Sequence, residues 1–134
     1  MRYIFWSLLA IAAILPFSAA QAGSARIDQS PNLQMSGVSG GNRASDCGYI
    51  SDRPNEQVTI SPQYVEQSGY LRISVSAAGN PTLLIEGPSG RLCSMGQGGR
   101  SPQHVGVWPA GVYNIYVGDR QGQSHPYQLM LSGR

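Results

Sequence analysis

Lysine is missing from this chain; its nine basic residues are all arginine, set against seven acids. Charged residues are only 12 % of the sequence. One of the arginines, Arg2, belongs to the apolar N-terminal stretch, so the remainder is nearly neutral. That balance argues against a nucleic-acid binder, which concentrates basic charge on one face. It also leaves no polybasic handle for anionic lipid. Phenylalanine occurs only at Phe5 and Phe17, so past that point the aromatics are tyrosines and Trp108. Beyond the start of the chain no window repeats its apolar residues every 3.6 positions, which argues against a helical domain.

What is present begins with a leader. Ile4 to Phe17 is almost wholly apolar, broken by Ser7 and Pro16, and Ala20-Gln21-Ala22 matches the small-x-small site of a signal peptidase. The run is too short to span a bilayer and no stop-transfer pattern follows. Residues 1–22 are therefore predicted to be a secretory signal peptide. The mature chain would begin at Gly23 and work in the periplasm or outside the cell. No cysteine follows the cut, which argues against a lipoprotein anchor. About 112 residues then remain, the size of one small domain.

Two cysteines, Cys47 and Cys93, survive in that mature chain. In an oxidising compartment a lone pair is expected to join as a disulfide. The alternatives are a thiol nucleophile or a metal site, and two cysteines with two scattered histidines make a poor zinc set.

Residues 23–46, rich in Gly, Ser, Asn, Gln and Arg, read as a flexible lead-in or a loose first strand around Leu33 to Val38. From 47 to 134 short β-branched and aromatic runs alternate with turns every eight to twelve residues, which predicts an all-β antiparallel sandwich of seven to eight strands. Tyr70 to Ser76 sets Leu71, Ile73 and Val75 against Arg72 and Ser74, a period of two. Gln57–Ile60, Thr82–Glu86, Arg91–Cys93, His104–Val107, Val112–Val117 and the row Tyr127, Leu129, Leu131 complete the set. The predicted core is Val58, Ile60, Leu71, Ile73, Val75, Leu83, Ile85, Val105, Val107, Tyr113, Ile115, Val117, Leu129 and Leu131.

Four segments of Cys47–Ser132 also resemble the bacterial pre-peptidase C-terminal domain family. They are Tyr70-Leu71-Arg72-Ile73-Ser74-Val75, the stretch from Pro81 to Gly90 (PTLLIEGPSG), the stretch from Trp108 to Gly118 (WPAGVYNIYVG), and Tyr127-Gln128-Leu129-Met130-Leu131-Ser132. The resemblance implies a jelly-roll-like sandwich that accompanies secreted enzymes and assists secretion, folding or substrate attachment. Some members bind calcium. Relatives often carry an acidic pair just after the position of Cys93, where this chain has Ser94-Met95-Gly96, so a hard-cation site lacks its natural ligands. No metal or cofactor is expected.

Motifs for catalysis are weak. Gly37-Val38-Ser39-Gly40-Gly41 matches the G-x-S-x-G pattern but lacks the helix that an elbow requires. Gly96-Gln97-Gly98-Gly99-Arg100 lacks the Lys-Ser/Thr end of a phosphate loop and reads as a surface loop. His104 and His125 share no metal-ligand spacing, and Asp46, Asp52, Glu56, Glu66, Glu86 and Asp119 read as solvated carboxylates. The most suggestive set for recognition is Trp108, Tyr116 and Arg72, taken as exposed aromatics beside an arginine. The expected function is a non-enzymatic exported binding or accessory module for a cell-envelope polysaccharide or a protein partner. A small hydrolase using His104 or His125 is the alternative.

Overall fold

The computed structural model describes residues 23–96 and 99–134; residues 1–22, expected to be a leader, and Gln97 and Gly98 of the glycine-rich loop lie outside the described residues. The chain folds as two facing β-sheets. In chain order the strands are β1 (Gly23–Ile27), β2 (Leu33–Val38), β3 (Arg43–Ser45), β4 (Gly48–Ile50) and β5 (Glu56–Ile60). A short helix α1 (Pro62–Gln67) follows. Then come β6 (Tyr70–Ala77), β7 (Pro81–Gly87), β8 (Gly90–Ser94), β9 (Gln103–Val107), β10 (Gly111–Asp119) and β11 (Pro126–Ser132). The all-β sandwich expected from the alternating pattern is what forms.

The larger sheet has seven strands, and the smaller one runs β2-β11-β6-β9. β10 is the spine of the larger sheet. It pairs with β5 through residues 111–115, with β7 through 114–119, and with β4 at Asp119. All pairings are antiparallel except β1 with β5, which run parallel from Gly23↔Glu56 to Ile27↔Ile60.

Eleven described strands exceed the seven to eight expected. Each expected run is found, the loose first strand included: it is β2, on the edge of the smaller sheet. The additions are β1, β3 and β4, whose sequences GSARI, RAS and GYI carry too few β-branched residues to register by composition. Residues 23–46 are thus built into both sheets rather than leading into them, and the domain starts well before residue 47. The helix was also not foreseen. One turn too short to show periodicity, it starts on the Ser61 cap, whose Oγ accepts the Tyr64 N–H at 3.2 Å, with Pro62 in the first turn.

The inner rows of both sheets meet in one core that includes Ile27, Val58, Ile60, Leu71, Ile73, Val75, Leu83, Ile85, Ile115, Val117, Leu129 and Leu131. Each fully buried aliphatic contributes about 1.5–3 kcal/mol. Twelve of the fourteen predicted core residues are buried. The two exceptions are Val105 and Val107, which are 46 % and 71 % exposed. The phase of β9 is the reverse of the one expected: His104 and Gly106 lie opposite Ile73 and Leu71 on the inner face. Trp108 sets this phase. It is buried, donates its indole N–H to Leu71 O at 3.0 Å and meets Tyr113 edge-on at 5.4 Å. Because side chains alternate strictly, turning position 108 inward turns 105 and 107 outward.

A second buried cluster, Cys47, Ile50, Leu84 and Tyr116, covers the other face of β7 and β10. Cys47 and Cys93 are joined there, with Cα atoms 5.8 Å apart and a separation of 46 positions in sequence. Closing a loop of that length removes about 4 kcal/mol of chain entropy from the unfolded state. Replacing Cys47 or Cys93 by Ser is expected to lower stability by about 2–5 kcal/mol in urea unfolding, and reductant to lower the melting temperature of the native chain. A melting temperature indifferent to reductant would contradict this.

Candidate functional site

The three residues chosen from sequence as a recognition set do not meet. Trp108 is in the core. Tyr116 is buried beside the disulfide, because β10 is covered on both faces and its outer side chains are not free. Arg72 alone is exposed. It stands on the outer face of the smaller sheet, in register with Val105 of β9 and Ser132 of β11.

Ser39 does not sit on an elbow. It is buried, its Oγ accepts the His125 N–H at 3.1 Å, and its own N–H donates to His125 O at 2.8 Å. The pair of bonds ties the end of β2 to the start of β11. The His125 ring does not reach back to Ser39; its Nε2 lies 3.2 Å from Gln123 Oε1. His104 faces inward from β9, and its Nε2 is buried without a hydrogen-bond partner. Burial pushes the His104 imidazole below its ordinary range, partly opposed by the carbonyls of Leu83 and Leu92.

Two of the acids expected to be solvated are buried. Asp119 accepts N–H bonds from Asn80 at 3.1 Å, Gln121 at 2.8 Å and Gln123 at 3.2 Å, which is the work of a turn organiser. Glu56 is on the inner phase of β5, with Val58 and Ile60, and is 3 % exposed. Its Oε1 accepts the Tyr127 hydroxyl at 2.7 Å. Loss of solvent pushes the Glu56 carboxyl above its ordinary range, against the lowering by Tyr127 and the Gly23 N–H. The same burial, reinforced by the neighbouring carboxylate, raises the Tyr127 phenol. The pair lines an open cavity of about 730 Å³ between the β2 end and the turn before β5, together with Arg53 and Ser124. Among the described residues no three of His, Cys, Asp and Glu gather in a metal-holding group.

The remaining candidate is the edge of the smaller sheet. Trp108 N–H donates to Gly69 O at 2.8 Å and Val75 N–H to Pro102 O at 3.1 Å, which fixes the alternation of the β6–β9 ladder. His104 and Gly106 turn their main-chain groups toward β6. Val105 and Val107 turn theirs to the side that, among the described residues, has no neighbouring strand. Of the other edges, β1, β3 and β8 carry exposed arginines at 26, 43 and 91, a usual guard against strand addition, while β2, LQMSGV, carries none. β9, QHVGV, carries no formal charge apart from what His104 can gain. Sequence reasoning missed this edge by one register step. The proximity of Trp108 to the run could have set the phase.

The chain is 87 % identical to an uncharacterized protein of Synechococcus elongatus over 134 residues, which covers the whole of both chains. This chain belongs to that protein's family. No family model matches it. No solved structure matches it either.

His104 gives this family member a testable acid response. Its folded pKa lies below the ordinary 6.5, so the unfolded chain binds the proton more readily in the window beneath that value. Stability should fall as pH drops from about 6.5, with His104→Leu flattening that part of the profile. Denaturant midpoints from pH 7.5 to 5 check this; an identical slope in both chains would contradict it.

Proposed function

We propose that this chain is an exported, non-enzymatic binding module that takes up an extended segment of a protein partner along β9. The observation that carries this reading is the open edge itself. Val105 and Val107 offer unpaired main-chain donors and acceptors on one side and exposed apolar side chains on the outer face. An added strand gains affinity from main-chain hydrogen bonds and selectivity from alternate side-chain contacts. Arg72, across from Val105, stands where an acidic residue of such a strand would pair with it. The partner chemistry is therefore an uncharged or acidic β-strand with small apolar residues.

Two further points support the reading. The disulfide fits a chain that matures in an oxidising compartment. No helix of the described residues is long and apolar enough to cross a membrane. The resemblance to pre-peptidase C-terminal domains, which accompany secreted enzymes, suggests that the partner is itself an exported enzyme. Among the described residues neither imidazole is hydrogen-bonded to a hydroxyl, so the alternative hydrolase finds no support in Ser39, His104 or His125.

The mature chain immobilised on a resin should retain a defined partner from periplasmic extract at fixed stoichiometry. Val105→Lys with Val107→Lys should abolish retention, by at least tenfold in Kd, while leaving the melting temperature within about 2 °C, since both residues are exposed. Retention unaffected by the pair, binding confined to envelope polysaccharide, or turnover of chromogenic esters or glycosides would each overturn the proposal.

A further inference from the structure

Glu56 poses a problem that the rest of the fold leaves unanswered. It is a buried acid, and its side-chain partner is the neutral Tyr127 hydroxyl. The ion pairs of the described residues join Arg26 with Asp28 and Arg91 with Asp46 and Glu86, and leave Glu56 aside. A buried carboxylate without a counter-charge is costly. Directly beside it in the parallel ladder is Gly23. The Gly23 nitrogen donates to Asn55 O at 3.1 Å, and a Cβ built on Gly23 would fall 2.0 Å from Glu56 Oε2 and 3.0 Å from Met35 Cε. Only glycine leaves the carboxylate room at this position. Gly23 is also the residue that the leader pattern makes the first of the mature chain.

We propose that cleavage of the Ala22–Gly23 bond creates the missing counter-charge: the new α-ammonium of Gly23 pairs with the Glu56 carboxylate and locks β1 onto β5. The inference rests on the reading of residues 1–22 as a leader. In the step, signal peptidase uses water to hydrolyse the peptide bond. Hydroxide equivalent goes to the Ala22 carbonyl carbon, which leaves as a carboxylate. The Gly23 nitrogen gains the hydrogens that make it –NH₃⁺. One of its three N–H bonds keeps Asn55 O, and the others are free for Glu56.

The groups facing Glu56 define the pH response. They are the Tyr127 phenol from β11 and the Gly23 nitrogen from β1. β10 offers uncharged Ile115 opposite Glu56, β2 offers Met35, and Arg53 lines the cavity outside. With Gly23 held in a peptide bond, Glu56 titrates above its ordinary 4.5. Its contribution is then present below that pH and lost as pH rises through the folded value. With Gly23 as an ammonium the sign reverses. The carboxyl is lowered and the amine raised, so the pair stabilises across neutral pH and fails on acidification.

The absence of lysine makes the test clean, because the mature chain then holds a single primary amine. The precursor is expressed with its leader and recovered from the periplasm; intact mass should show cleavage between Ala22 and Gly23. An N-hydroxysuccinimide ester at pH 8 should acylate the mature chain about fivefold more slowly than an unstructured glycine-terminated peptide, the factor expected at that pH when an amine pKa of about 8 rises by one unit. Glu56→Gln should return the rate to that of the peptide. A chain begun at Ala20 should acylate at the peptide rate and, relative to the mature chain so that the shared His104 contribution cancels, lose stability from pH 4 to 7. Acylation of the mature chain at the peptide rate, or the same pH slope in both chains, would overturn the inference, even if Glu56→Gln does not fold. Cleavage at another bond would instead overturn the leader assignment on which it rests.

Discussion

The strict alternation of side chains between two facing sheets governs this molecule. A residue on the inner row must either be apolar or bring its own partner, since the interior supplies no water. That rule accounts for the polar groups inside. Ser39 exchanges two bonds with the His125 main chain, Asp119 collects three turn amides, and Thr82 Oγ1 donates to Cys47 O at 2.6 Å. Glu56 finds Tyr127. In each case the side chain is consumed by the fold, so residues whose types suggest chemistry are occupied with holding strands in register. The histidine that escapes this rule, His104, meets no partner at Nε2 and stays neutral there by desolvation.

The same alternation exposes the candidate interface. Trp108 buries a large ring and satisfies its indole N–H, and the five residues before it are carried into one phase as a consequence. Val105 and Val107 become surface groups on an uncharged edge. Unpaired sheet edges are usually guarded; here the arginine guards are on the larger sheet, at β1, β3 and β8. The edge and the Gly23–Glu56 pairing sit on different sheets, one at the rim of the smaller sheet, the other where β1 meets β5.

Much of the architecture was legible in the sequence because it follows from periodicity: the rows Leu71-Ile73-Val75, Tyr113-Ile115-Val117 and Leu129-Leu131 are buried where the period of two puts them. The pairing of Cys47 with Cys93 was legible from compartment and count. Periodicity fixes which residues share a face but not which face is inside. On β9 the five-residue run gave no reason to prefer either phase, and on β10 nothing local revealed that the outer face is covered by Cys47, Ile50 and Leu84. Tyr116 was therefore misjudged as exposed, and Glu56 as solvated. β1, β3 and β4 escaped because their strand character comes from neighbours in space, not from their own residues.

Amide hydrogen exchange along β9 tests the central claim most directly. The account requires the Val105 and Val107 amides to exchange within seconds to minutes at neutral pH, while those of His104 and Gly106, bonded to β6, are protected at least a hundredfold more. Equal, strong protection of all four would mean that this edge is already covered, and would contradict it.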